Sequence, residues 1–379
     1  MRCRSRIRRF PVTARLVKED VINPTLSQQT LSLPFPIHTN PHDATAEQHL
    51  CGWARQMGLV RTPEAGARFD AARFGIFSGY VHPNASPGRL ALYSRWMAWQ
   101  FLADDQYADG SYRTAESWQS ATDHLWPVFA TGQAPEGASS LARALADILG
   151  AVYPHMSARW RERFVEHVQE TFGAVVAENE RRHTRTSATV EEYVANRRAV
   201  SSVLPCFAID EFMAGGELPE EVRVSGPYQR LVQAATDVAA WTNDLYSWPK
   251  EEAAGEVDNL VLVLESAGQL TRREAIHAAA QWITGRAGDF NTAEQELPPV
   301  LDSLSLGAGA RRTVARCVSS MRNWMAGTWK WSSESARYTT FDPDAAGRIP
   351  AYIDDLLARR SEGDCCKPIR HDQDREGWR

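Results

Sequence analysis

The sequence predicts an all-α fold: a single domain built as a helical bundle. Apolar residues recur at helical spacing from about Ala44 almost to the C-terminus. No stretch alternates convincingly with period two, and no Asn-Gly hairpin signal occurs. The connections are short and polar, as in "TGQAPEGASS" (131–140), and neither a repeat nor a long linker divides the chain.

Taken in order, residues 1–30 read as a disordered basic extension. "MRCRSRIRRFPVTARLVK" is Arg-rich, has no acid before Glu19, and lacks the apolar core of a secretory signal. Residues 31–360 form the predicted domain. "LPFPIHTNP" (Leu33–Pro41) carries three prolines and reads as extended chain wrapping a surface. "TAEQHLCGWARQMGL" has helical spacing and ends near Gly58. "NASPGRLALYSRWMAWQFLADD" begins with Ser86 as N-cap and Pro87 at the first helical position. Further helical patterns cover 139–152, 158–181, 189–213, 227–248, 257–266, 271–286, 308–333 and 347–359. Residues 361–379 are polar and read as a disordered tail.

Composition narrows the function classes. The 379 residues are 43% hydrophobic and 23% charged, which allows a sizeable core. A net charge of -5 argues against general nucleic-acid binding, which needs a basic field. No apolar run approaches the roughly 20 residues of a membrane span. Six cysteines, none in a CxxC pair, fit a reducing, cytoplasmic setting without zinc or a disulfide framework. Thirteen tryptophans are far above the usual count and suggest an aromatic core or an aromatic-walled pocket.

Two polar clusters carry chemistry. "FLADDQYADG" places Asp104, Asp105 and Asp109 at the end of an apolar helix, with Gly110 positioned to stop it. Asp105 and Asp109 share a face, and Asp104 flanks them. Carboxylates gathered at the negative end of a helix dipole make sense when a hard divalent cation binds there. Oxygen ligands without Cys or His select Mg²⁺ or Mn²⁺ over zinc. The second cluster lies in "WTNDLYSWPKEE", where Asn243, Ser247 and Glu251 fall at i, i+4 and i+8 on one helical stripe. An amide oxygen, a hydroxyl and a carboxylate make a second hard-cation site, and Lys250 beside it can meet an anion. The helix before it is largely apolar or small, so the stripe is expected to be buried.

These residues carry a resemblance. "DDQYAD" resembles the aspartate-rich motif of class I terpene synthases, and "NDLYSWPKE" resembles their Asn/Ser/Glu triad. "WSSESARY" (Trp331–Tyr338) is similar to the family's Arg-Tyr pair, and "EEYVANRRAV" to the segment that carries the diphosphate-sensing arginine. The likeness runs from about Leu33 to Asp342 in matching order. It implies a class I terpenoid synthase bundle around a central apolar pocket, an isoprenyl diphosphate substrate, and three Mg²⁺ ions, with Mn²⁺ as a substitute. By the resemblance Asp104 is the main ligand of two ions, supported by Asp105 and Asp109. Asn243, Ser247 and Glu251 hold the third ion. Arg198 or Arg197, Lys250, Arg337 and Tyr338 bind the diphosphate. Spacing to Asn243 slightly favours Arg197, whereas the local pattern favours Arg198, and Arg198 is the expected sensor. The chain is expected to act as a monomer or homodimer. Phe74, Phe77, Trp96, Trp99, Phe101, Trp324 and Trp331 are candidate aromatic walls, and Ser202 sits at the expected helix break, where Pro205 could interrupt the helix instead. Pro249 removes a backbone bond to Leu245 inside the triad helix.

A prenyl-elongating synthase would carry a second aspartate-rich motif where this chain has "NDLYSWPKE", and a protonation-initiated cyclase would need a DxDD motif, which is absent. A non-catalytic helical binding protein would not need both ligand clusters intact. The expectation is therefore Mg²⁺-dependent cyclisation of farnesyl diphosphate to a sesquiterpene, with geranylgeranyl diphosphate the alternative substrate.

Overall fold

The computed structural model describes residues 31–108, 112, 114–339 and 354–359. The expectations for residues 1–30 and 361–379, and for Asp109 and Gly110, lie outside the described residues. Among the described residues there are helices, two short 3-10 turns and loops, and no strand.

The described residues form sixteen helices, in order: α1 (Asp43–Met57), α2 (Pro63–Ala72), α3 (Phe74–Val81), α4 (Pro87–Ala108), α5 (Ala115–Thr122), α6 (Trp126–Thr131), α7 (Ser140–Val152), α8 (Ala158–Thr184), α9 (Val190–Val200), α10 (Val203–Ala214), α11 (Glu220–Arg223), α12 (Gly226–Ala253), α13 (Leu260–Gly268), α14 (Arg272–Ser303), α15 (Ala308–Glu334) and α16 (Ala336–Thr339). Their ends are written in the sequence. Gly58 closes α1 with φ 71°. Thr62, Ser139 and Ser157 each accept a backbone N–H with their side chains. Thr189 with Glu192, and Thr271 with Glu274, form capping boxes for α9 and α14.

The long helix α12 lies at the centre, packed against α14 and α15, and α15 also packs on α3 and α10. On the other side α4 packs against α1, α3 and α7. Small residues let the central helices approach closely: Ala234, Ala235, Ala239 and Ala240 of α12 are all buried. Helix α14 buries Ala287, Phe290, Ala293 and Leu297, spaced as one helical face, which carries it well past the expected end at 286.

Two further expectations are corrected. The single helical pattern over 189–213 is two helices, broken at Ser201 and Ser202, with Ser202 in the left-handed region at φ 58°. Pro205 does not make this break. It stands in the first turn of α10, where its missing N–H costs nothing. The helix expected at 347–359 is absent over 354–359. There the Leu356 carbonyl accepts from Leu141 N at 3.2 Å, and Leu356 N donates to Gln106 Oε1 at 2.8 Å. Backbone groups committed to other elements cannot form a helical ladder. Helix α12 runs unbroken through Pro249 to Ala253.

Candidate active site

The walls of α3, α4, α9, α10, α12, α15 and α16 enclose a cavity with about 1080 Å³ of space not filled by atoms, open solvent at its mouth included. Its lower walls are apolar and aromatic, with Phe77, Met97, Phe101, Val203, Trp324 and Trp331 among the lining residues. Its polar lining brings Asp104 of the first cluster together with the whole second cluster. Asp104 comes from α4, Asn243, Ser247, Lys250 and Glu251 from α12, and Arg337 and Tyr338 from α16.

The aspartate side is organised by one arginine. Arg337 donates two hydrogen bonds to Asp105, at 3.0 and 2.6 Å, and lies 3.6 Å from Asp104. Its guanidinium also sits 5.0 Å over the Phe101 ring. Burial pushes the Asp105 carboxyl upward, but the Arg337 guanidinium prevails and holds it below the usual value. Asp105 is thus engaged in a half-buried ion pair, whereas the Asp104 side chain is 57% exposed at the mouth. The backbone places Arg337: Ser335 ends α15 in extended geometry, its hydroxyl donates to Ala72 O, and Trp331 Nε1 donates to the same carbonyl at 2.7 Å.

The triad side is held from behind. Asn243 Nδ2 donates to Tyr338 Oη at 2.7 Å, and its Oδ1 accepts from Arg197 Nη2 at 2.9 Å. Glu251 Oε2 accepts from Asn259 Nδ2 at 2.8 Å. Burial first, and then the neighbouring Asp244 charge, raise the Glu251 pKa above its ordinary value. Asp244 is fully buried beside the triad, where it pairs with Arg197, which also reaches Asn243, and accepts from Tyr193 Oη and Leu260 N. Burial pushes the Tyr338 hydroxyl up to about 12, so it stays a neutral donor.

The structure separates the two adjacent arginines. Arg197 lines the cavity and touches Asn243. Arg198, the arginine taken from the sequence, points instead at the buried Asp237, which it grips with bonds of 2.6 and 2.7 Å beside Arg286. One residue of helix rotates the side chain by about 100°, so only one of the pair can face the cavity. The aromatic candidates also divide. Phe77, Phe101, Trp324, Trp331 and Ser202 line the cavity. Phe74 stands behind it, stacked on Phe101 at 4.9 Å. Trp96 and Trp99 belong to a core cluster with Phe164 and Phe129: three residues apart, they share a side of α4 that those rings cover.

Several lining residues were missed from the sequence. Gln100, one turn before Asp104 on the same face of α4, donates to Ser202 O at 3.2 Å and ties the helix break to the aspartate wall. Its i, i+4 spacing to Asp104 was a usable signal. Glu256 reaches the mouth from the loop after α12, where no periodicity marks it.

The donors suit a hard divalent cation. Ser247 Oγ is buried beside the Glu251 carboxylate, in a cavity whose lining also holds the Asn243 amide oxygen and Asp104. No group of three or more His, Cys, Asp or Glu side chains suited to a metal occurs among the described residues, and Asn243 and Ser247 supply neutral oxygens beside Glu251. Fold and site together define a helical enzyme with acidic and cationic groups at the mouth of an apolar, aromatic cavity. The family description "Terpene synthase family 2, C-terminal metal binding" matches residues 95–288. The chain is 32% identical to pristinol synthase of Streptomyces pristinaespiralis over 83% of its length and 86% of that protein. It is 29% identical to a (-)-beta-caryophyllene synthase of Saccharothrix espanaensis, described as farnesyl diphosphate cyclizing, over 88% of this chain and 95% of that one. Germacradien-4-ol synthase from Streptomyces citricolor superposes with a TM-score of 0.70 at 25% identity, covering 81% of this chain and 99% of that one. The chain belongs to the terpene synthase family and has its class I all-α fold, and it is a lyase of that family. No described helix is long and apolar enough to cross a membrane.

Proposed function

We propose that this protein cyclises farnesyl diphosphate to a sesquiterpene with release of diphosphate, using three Mg²⁺ ions, in the cytoplasm. The observation that carries the reading is the convergence of Asp104, the Asn243/Ser247/Glu251 triad and the cations Arg197, Lys250 and Arg337 on the mouth of one apolar cavity. The farnesyl chain length is supported by the relative described as farnesyl diphosphate cyclizing.

Asp104, with Asp105 and Asp109 in support, would hold ions on one wall, and Asn243, Ser247 and Glu251 would hold one on the other. Bound there, divalent cations neutralise the charge that builds on the leaving diphosphate. The chain's own groups do the rest. Arg197, Lys250, Arg337 and Tyr338 donate to diphosphate oxygens, where bidentate guanidinium donors fit well. Arg197, Arg337 and Tyr338 are already held, by Asp244, Asp105 and Asn243, so little reorganisation opposes ionisation. The apolar walls below exclude the water that would quench an allylic cation. Phe77, Phe101, Trp324 and Trp331 line the cavity, and each aromatic face left open toward it would attract the positive charge by roughly 0.5–2 kcal/mol.

The test is incubation of the purified protein with Mg²⁺ and separately with C10, C15, C20 and C25 isoprenyl diphosphates, followed by gas chromatography. Cyclic C15 hydrocarbon or alcohol from farnesyl diphosphate is expected. Product only from the C20 substrate would replace the chain-length assignment, and no product from any substrate would overturn the reading.

A further inference from the structure

We propose that Asp210 is a positioning residue for cyclisation, acting through Trp324. The inference rests on the carbocation reading above and goes beyond its metal and diphosphate groups. Asp210 lies on α10 and is 3% exposed, outside the cavity lining and remote in role from the polar mouth. Its carboxylate is gripped from three directions. His82 Nε2 lies 3.0 Å from Oδ1, Ser320 donates to Oδ2 at 2.6 Å, and the Trp324 indole N–H donates to Oδ2 at 3.2 Å. Trp324 Nε1 also reaches Tyr93 Oη at 3.1 Å, and Tyr93 packs edge-on against His82 at 4.1 Å. Four elements, α3 and its end, α4, α10 and α15, thus converge on one indole.

A buried carboxylate is costly, and an apolar residue would pack here at less expense. What this one does is specific. The same indole that it holds by the N–H lines the cavity, wedged edge-to-face between Phe77 at 5.5 Å and Phe207 at 6.1 Å. An acceptor on the N–H fixes the ring's rotation about its long axis, which edge-to-face packing alone leaves adjustable. It also draws the N–H proton, so the ring carries more electron density toward the cavity. Both effects strengthen the ring's attraction for a cation beside it. The effect is exerted after the carbon–oxygen bond has broken, because only then does positive charge travel into the apolar part of the cavity.

The variants that test this are Asp210→Asn, Trp324→Phe and the double variant, assayed with farnesyl diphosphate for diphosphate release and for the ratio of acyclic to cyclic products. Asp210→Asn is expected to raise that ratio on the order of threefold to tenfold while KM stays within about twofold. In the Trp324→Phe background, where no N–H remains to be held, the added Asp210→Asn change is expected to leave the ratio unaltered. A loss of melting temperature and total turnover with an unchanged product ratio would mean a purely structural carboxylate and would overturn the proposal. So would an equal effect of Asp210→Asn with and without the indole. Should Asp210→Asn fail to fold, Ser320→Ala serves, since it leaves Oδ2 to the indole N–H and should lower the acyclic fraction; an unchanged fraction overturns the proposal there as well. If the wild type makes product only from the C20 diphosphate, the chain-length assignment fails and the same ratio is read with that substrate; no product from any substrate is a failure of the functional reading and not of this inference.

Discussion

At the scale of single residues, the mouth of the cavity separates groups that act from groups that hold. Asp104 is mostly exposed, so Asp104→Ala should leave the melting temperature nearly unchanged while cutting kcat/KM by at least about a hundredfold. Asn243→Ala should lose as much activity, and both variants retaining full turnover would refute the ligand assignments. The adjacent arginines give a sharper contrast. Arg197 is expected to bind diphosphate, so Arg197→Lys should lower kcat/KM markedly. Arg198→Lys weakens the grip on buried Asp237 and should cost about 1–3 kcal/mol of stability with kcat/KM little changed. Kinetics and thermal melts of the two variants decide between them. The opposite pattern would return the sensing role to Arg198.

At the scale of elements, the break between α9 and α10 has a physical cost that can be measured. Ser202 holds φ 58°, a conformation that side-chain-bearing residues resist by roughly 1 kcal/mol and glycine adopts freely. The turn persists because the surroundings overdetermine it: Gln100 anchors the Ser202 carbonyl, and Ser201 Oγ donates to Arg198 O at 2.9 Å. Ser202→Gly should therefore stabilise the protein by about 0.5–1 kcal/mol, read as a rise in denaturant midpoint at constant m-value. A fall in midpoint would show that the Ser202 side chain contributes contacts that outweigh its backbone strain. Pro249 makes a different point. Its missing N–H falls at a place where α12 continues undisturbed, so the triad keeps its i, i+4, i+8 stripe.

At the scale of the whole molecule, several acids are buried around the cavity mouth, and their titration is linked to folding. Burial raises the Glu256 carboxyl to about 7, against the pull of its partner Arg182, and Glu251 and Asp258 add to the rise. A carboxyl whose folded value lies above its unfolded value of 4.5 contributes stability that is present below 4.5 and is lost as pH rises through about 7. Glu256→Gln removes this contribution. In metal-free buffer containing EDTA, the wild type should therefore lose melting temperature relative to Glu256→Gln as pH rises from 4.5 to 7. Parallel curves for the two proteins across that interval would show that Glu256 does not titrate within it. Other groups work in the opposite direction: burial lowers His124 and His167, whose loss of stability falls on the acidic side, and only the difference between the two proteins isolates Glu256.

Much of this protein was legible in its sequence because the information is local. Helical periodicity, Ser and Thr caps and Gly58 depend on neighbours a few residues away, so the all-α class and most helix starts follow from them. The two ligand clusters were legible for the same reason, since i, i+4 and i+8 spacing alone aligns Asn243, Ser247 and Glu251. Tertiary contacts decided the rest. Whether Arg197 or Arg198 faces the cavity depends on which has Asp237 on its side of α9. Whether an aromatic residue of α4 is wall or core depends on what packs opposite it: Phe101 meets Trp331 at the cavity, whereas Trp96 meets Phe164 behind it. The carboxylate of Asp210 reaches Trp324 across 114 positions of chain, and no spacing rule connects residues so far apart. A helix pattern states which face of each element is apolar. Only the packing of helices against one another determines whether that face meets a neighbour or an empty cavity.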